Sequence, residues 1–219
     1  SGIAASRHNL GSTGVFSTNG NTTEICVFCH TPHHSSTISN LKPLWNRVNQ
    51  ILPTGFTAYG TTLGGTVVAN TDLGSTTMAC LSCHDGVTTF DNIVNAPGKN
   101  GVVAAGFDRD WTFTSLGVVA SDFMTASRLN IGVDLSNDHP VSVVYDPLKA
   151  GLRPTNTIIG TIDLTTGLSV SAINFDTGNL TKNLWAVKGY ISDSATIADL
   201  LRENNGQFRV ECSSCHDPH

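Results

Sequence analysis

The sequence predicts a mostly irregular fold: coil with short helices and a few β-strands, wrapped around apolar mass that its own side chains do not supply. Three observations carry this. Only 39% of the 219 residues are hydrophobic and 7% are aromatic, a thin supply for a core. About 65 residues are Ser, Thr or Asn, and the 21 Gly and 8 Pro beside them favour turns over long elements. Finally, all six cysteines fall into one pattern, repeated three times.

Taken in chain order, the elements are few. Ser121 is placed to cap a short helix over Asp122 to Leu129. Alternation from Val141 to Tyr145, and from Thr157 to Phe175 with a turn near Thr166-Gly167, predicts strands paired as hairpins. Ser194 is placed to cap a second helix over Ala195 to Asn204, with Ile197, Leu200 and Leu201 on one face and Gly206 as its stop. The remainder reads as coil, and the chain as a single domain over 1–219 with a partly β segment at about 141–190 that carries no cysteine motif.

The repeated pattern is Cys-x-x-Cys-His, at Cys26-Val27-Phe28-Cys29-His30, Cys80-Leu81-Ser82-Cys83-His84 and Cys212-Ser213-Ser214-Cys215-His216. In a c-type haem site two thiols add across the vinyl groups, so the cysteines must lie about one turn apart, and the following His ligates the iron. That requirement explains the spacing and the histidine together. A disulfide framework explains neither, and zinc knuckles pair into fours, leaving one of three without a partner. A thioredoxin-like dithiol predicts one motif after a strand. The expected cofactor is therefore haem c, three per chain, held by Cys26, Cys29, His30, Cys80, Cys83, His84, Cys212, Cys215 and His216.

Each iron then needs a sixth ligand. Five histidines remain for three positions: His8, His33, His34, His139 and His219. Met78 and Met124 are the only thioethers, and Met78 stands too close to Cys80 to reach the far face of that motif's haem. Bis-His ligation is expected, with His139 the first candidate because the turn Asn137-Asp138-His139-Pro140 delivers it ahead of a strand, with Asp138 placed to orient its ring. His8 comes next, and His33 shares a helical face with His30 from which it can reach a neighbouring haem. His34 is a spare and His219 is terminal. Phe28, Trp45, Tyr59, Phe90, Trp111 and Trp185 are expected to pack rather than to relay electrons.

Charge and hydropathy limit the partners. The net charge is −5 and Lys and Arg are scattered singly, so nucleic acid is not expected. No apolar run approaches the ~20 residues of a membrane span. The start at Ser1-Gly2-Ile3-Ala4-Ala5, without Met or leader, suggests an exported product, extracellular or periplasmic, with its signal peptide removed.

Several blocks together resemble a family, the small multihaem c-type cytochromes exported by metal-reducing and related anaerobic bacteria. They are Arg7-His8-Asn9-Leu10, Cys26 to His33, Pro43-Leu44-Trp45-Asn46, Cys80 to Gly86, Asn137-Asp138-His139-Pro140 and Cys212 to His219. Some relatives of this kind form extracellular filaments in which a His of one subunit ligates a haem of the next, and His33 resembles that bridging ligand. The resemblance implies a fold wrapped around a row of three haems and electron transfer along them. It also implies copies of the chain itself as partners in a head-to-tail homopolymer, with redox proteins or extracellular electron acceptors beyond it. A soluble periplasmic shuttle is the alternative. A haem reductase would need an open iron, which the supply of histidines argues against, so no enzyme is expected.

Overall fold

The structure, a computed structural model, describes residues 3–14, 18–20, 22–33, 44–61, 67–95, 113–115, 123–125, 129–149, 151–157, 196–216 and 218. His34, Trp111, Ser121, Trp185, Ser194, His219 and the expected hairpin from 158 to 175 lie outside them. The chain divides into two compact units: Ser1–Val143 with Pro218–His219, and Val144–Asp217.

Among the described residues of the first unit the longest helix is α1, Ser75–His84. It is poor in strong helix formers, so packing rather than propensity must hold it. Its buried face carries Thr77, Met78, Leu81 and Ser82. Met78 and Leu81 pack with Phe56, Leu73 and Leu135, and Ile51, Tyr59 and Ile131 close over them. Burying a side chain of the size of Leu81 contributes about 2 kcal/mol. A second, smaller cluster joins Val27, Phe28 and Ile93 beneath the first cysteine motif. The strands here are short antiparallel pairs, β1 (Thr18–Gly20) with β4 (Phe113–Ser115) and β2 (Gly60–Thr61) with β3 (Val67–Val68). Of the helix expected over Asp122 to Leu129, residues 123–125 and 129 are described and none is helical.

At the start of the second unit, β5 (Val143–Val144), β6 (Arg202–Asn204) and β7 (Gln207–Val210) form a three-stranded sheet of order β5-β7-β6. The expected helix over Ala195 to Asn204 is one turn only, α2 (Ile197–Leu200), started where the Thr196 N–H and hydroxyl both donate to the Asp199 carboxylate at 2.7 and 2.9 Å. Those two donors hold the Asp199 carboxyl below its ordinary pKa. The rest is a hairpin, β6 (Arg202–Asn204) with β7 (Gln207–Val210), in the register Asn204 opposite Gln207. Asn205 and Gly206 both take positive φ, 53° and 73°, as the two central residues of a tight hairpin turn require. Gly206 therefore turns a hairpin and does not stop a helix.

Candidate functional site

The three cysteine motifs adopt one local design. Cys26–Phe28 is a 3-10 turn, Cys80 to His84 ends α1, and α3 is Cys212–Cys215. The N–H of His30 donates to the Cys26 carbonyl at 2.8 Å and that of His216 to Cys212 at 2.9 Å, so each motif closes one helical turn. Residues three and four apart then share a face. In the first motif Val27 and Phe28 point inward, in the second Leu81 and Ser82, and in the third Ser214. Both cysteines and the histidine of every motif stay exposed or half-buried on the other side. None of the six cysteines is in a disulfide.

Motifs one and two are stitched together by Trp45 to Asn49. Asn46, fully buried, receives nothing from solvent: its side-chain amide donates to the Val27 carbonyl at 2.6 Å and to Asn95 at 2.8 Å, and its N–H to Cys29 at 2.9 Å. Arg47, equally buried, donates to the carbonyls of Phe90, of Ser82 at 2.7 Å and of Thr89 at 2.6 Å. The Asn49 side chain donates to the Met78 carbonyl at 2.9 Å. The two motifs are close enough for their thiols to interact. Burial, reinforced by the Cys83 thiol and opposed by Arg47, pushes the Cys29 thiol up to about 12, and burial likewise raises Cys83.

His84 is held from both sides of its ring plane's anchor: its Nδ1 lies 2.7 Å from the Leu129 carbonyl, and its own carbonyl accepts from Ile131 and Gly132. A bond at Nδ1 leaves Nε2 for a metal, the arrangement common to ligating histidines. Opposite it stands His8, with ring centres 6.3 Å apart and planes at 65°. Two imidazoles on opposite sides of one metal ion, each bonded at about 2 Å, have ring centres about 6 Å apart. Against His30 the neighbouring ring is the Trp45 indole, edge-on at 6.0 Å and 88°. The buried Trp45 Nε1 finds no hydrogen-bond partner among the described residues, a donor suited to a carboxylate of a bound group.

The other candidate ligands are placed differently. His33 is exposed, while its carbonyl accepts from the Thr31 hydroxyl at 2.7 Å and from the Asn95 side chain. His139 is also exposed, its carbonyl accepting from the Tyr59 hydroxyl at 2.7 Å. Met78 lies in the hydrophobic cluster. In the second unit Arg202 braces the third motif, donating to the Ser213 hydroxyl at 3.0 Å and its carbonyl at 3.1 Å. Arg47 and Arg202 were not singled out by their sequence, because lone polar residues outside any motif carry no local signal of burial; Asn46 entered only as the end of the block from Pro43.

Gly86 links this geometry to a test. It takes φ of 71°, and a Cβ there would run into the Asn130 side-chain amide, next to the Leu129 carbonyl that holds His84. Gly86→Ala is expected to cost about 2 kcal/mol or more through strain and displacement. Urea unfolding should register the loss; an unchanged midpoint would show that Asn130 yields freely.

No protein-family model matches the chain, and no curated protein is similar to it at a significant level. Among the described residues no helix is long and apolar enough to cross a membrane.

Proposed function

We propose that the chain is a three-haem c-type cytochrome that transfers electrons, exported from the cell and assembled head to tail into a polymeric conduit. The observation that carries the haem reading is the shared design of the motifs. The first two bury both middle residues and the third buries Ser214, while the two thiols and the imidazole of each stay exposed or half-buried. Cys26 with Cys29, Cys80 with Cys83 and Cys212 with Cys215 would hold the three groups, and His30, His84 and His216 would supply the proximal ligands. When bound, a low-spin haem supplies one-electron chemistry without an open coordination site.

The protein's own residues fix what surrounds that chemistry. The Leu129 carbonyl orients His84, and the spacing of His8 fits the opposite side of the same metal. The polymeric reading is supported by a shortage. From Val144 to Asp217 the sequence holds one histidine, His216, and no methionine, so the third motif's unit offers neither of the usual sixth ligands. That ligand comes from another segment or another copy of the chain. His33, exposed and with its backbone fixed by Thr31 and Asn95, is suited to donate across a subunit boundary.

Intact mass under denaturing conditions tests the central claim. Thioethers survive denaturant, so the expected mass is that of the chain plus three haems. A mass without haem, or stoichiometric zinc, would sink it.

A further inference from the structure

Arg47 is fully buried, and no carboxylate pairs with it among the described residues. Its guanidinium is held instead by three backbone carbonyls, those of Ser82, Thr89 and Phe90, and its Nε has no partner there. A buried cation without a counter-charge is costly, so its retention calls for something that benefits from positive charge. Its position names that something. Ser82 is the residue before Cys83, and Asn46, the residue before Arg47, donates its N–H to the Cys29 carbonyl. The guanidinium is thus bonded directly to the second motif, and the neighbouring Asn46 N–H ties the same stretch of chain to the first.

We propose that Arg47 is a fixed cation that raises the reduction potentials of the haems on the first and second motifs together. The proposal rests on the haem reading above. Reduction adds an electron to the iron, and a positive charge held nearby in a medium of low dielectric favours the reduced state. Asp85, whose carboxylate accepts from the Val87 and Thr88 N–H groups and the Thr88 hydroxyl, directly follows His84 and carries the opposite sign. Asp91 is also buried nearby in sequence, and removal of Arg47 leaves both acids in place.

The test is a spectroelectrochemical titration of the full chain, wild type against Arg47→Gln and Arg47→Lys, each first shown by mass to carry three haems. At a fixed applied potential, Arg47→Gln is expected to lower the reduced-to-oxidised ratio about tenfold at two haems, about 59 mV per one-electron step. Arg47→Lys, which keeps the charge and loses the fork of donors, should stay close to wild type. No shift, a shift at fewer than two haems, or a Lys variant that falls as far as Gln would overturn the proposal, the last by showing a purely structural staple. Should Arg47→Gln fail to carry its haems, Asp85→Asn probes the same ground with opposite sign: one potential should rise, and an unchanged set would show that charge at this depth is not felt. A wild-type chain without haem would sink the haem reading itself, whereas three haems with unmoved potentials would sink only the role of Arg47.

Discussion

His8→Ala is expected to leave three haems attached and to open one iron of the three. The thiols and proximal histidines are untouched, so the mass stays that of the wild type. What disappears is the imidazole whose ring centre stands 6.3 Å from that of His84. The loss should be chemical and not structural, because neighbouring groups hold the loop. Asn9, buried, donates to the Ala4 carbonyl at 2.9 Å and to the Thr13 hydroxyl at 3.2 Å, and its side-chain oxygen accepts from the Gly11 N–H at 3.1 Å. Magnetic circular dichroism of the oxidised protein should show one more high-spin haem than the wild type in the same state of assembly, and the reduced protein should bind one more CO per chain. Three low-spin irons in His8→Ala would show that His8 stands beside His84 without ligating the same metal, and His139 would be the next residue to replace.

The turns of the cysteine motifs were legible because their pattern is local, and each motif forms one. Where His8 and His139 stand is set by tertiary packing, which no local pattern encodes: the ring of His8 comes 6.3 Å from that of His84, and His139 is exposed with its carbonyl on the Tyr59 hydroxyl. Secondary structure divides in the same way. The strand within Val141 to Tyr145 was visible in its alternation, and β5 lies inside it. The hairpin from Arg202 to Val210 was hidden by the apolar spacing of Ile197, Leu200 and Leu201, which extended a helix on paper past its single turn. The overlooked signal was Asn205-Gly206, the dipeptide that a two-residue hairpin turn demands. Helix α1 went unseen because Ser, Thr and Cys are indifferent helix formers, and its stability comes from Met78 and Leu81 in the core. Arg47 left no trace at all, being one of 12 Lys and Arg spread through the chain.

His33→Ala is expected to leave haem content at three and to shorten or abolish filaments. The argument begins at the other end of the chain. The third motif sits in a unit whose stretch from Val144 to Asp217 contains His216 and neither a second histidine nor a methionine. Its sixth ligand must arrive from elsewhere, and a ligand arriving from a second subunit makes coordination part of the interface. In a head-to-tail polymer the same contact recurs at every junction, so losing one bond weakens every junction alike. His33 is the donor that the geometry favours for this role. Its imidazole is exposed while its carbonyl is tied to the Thr31 hydroxyl and the Asn95 side chain, so presenting it costs little further ordering of the backbone. Isolated wild-type subunits should therefore contain one iron with a weak or vacant sixth position, which becomes low-spin on assembly; His33→Ala should keep the vacancy at every concentration. Negative-stain microscopy and magnetic circular dichroism on the same samples read the two halves of this claim. Normal filaments with every iron low-spin in His33→Ala would show that His33 is idle, and a wild-type chain that stays monomeric with three low-spin irons under every condition would replace the conduit with a soluble shuttle.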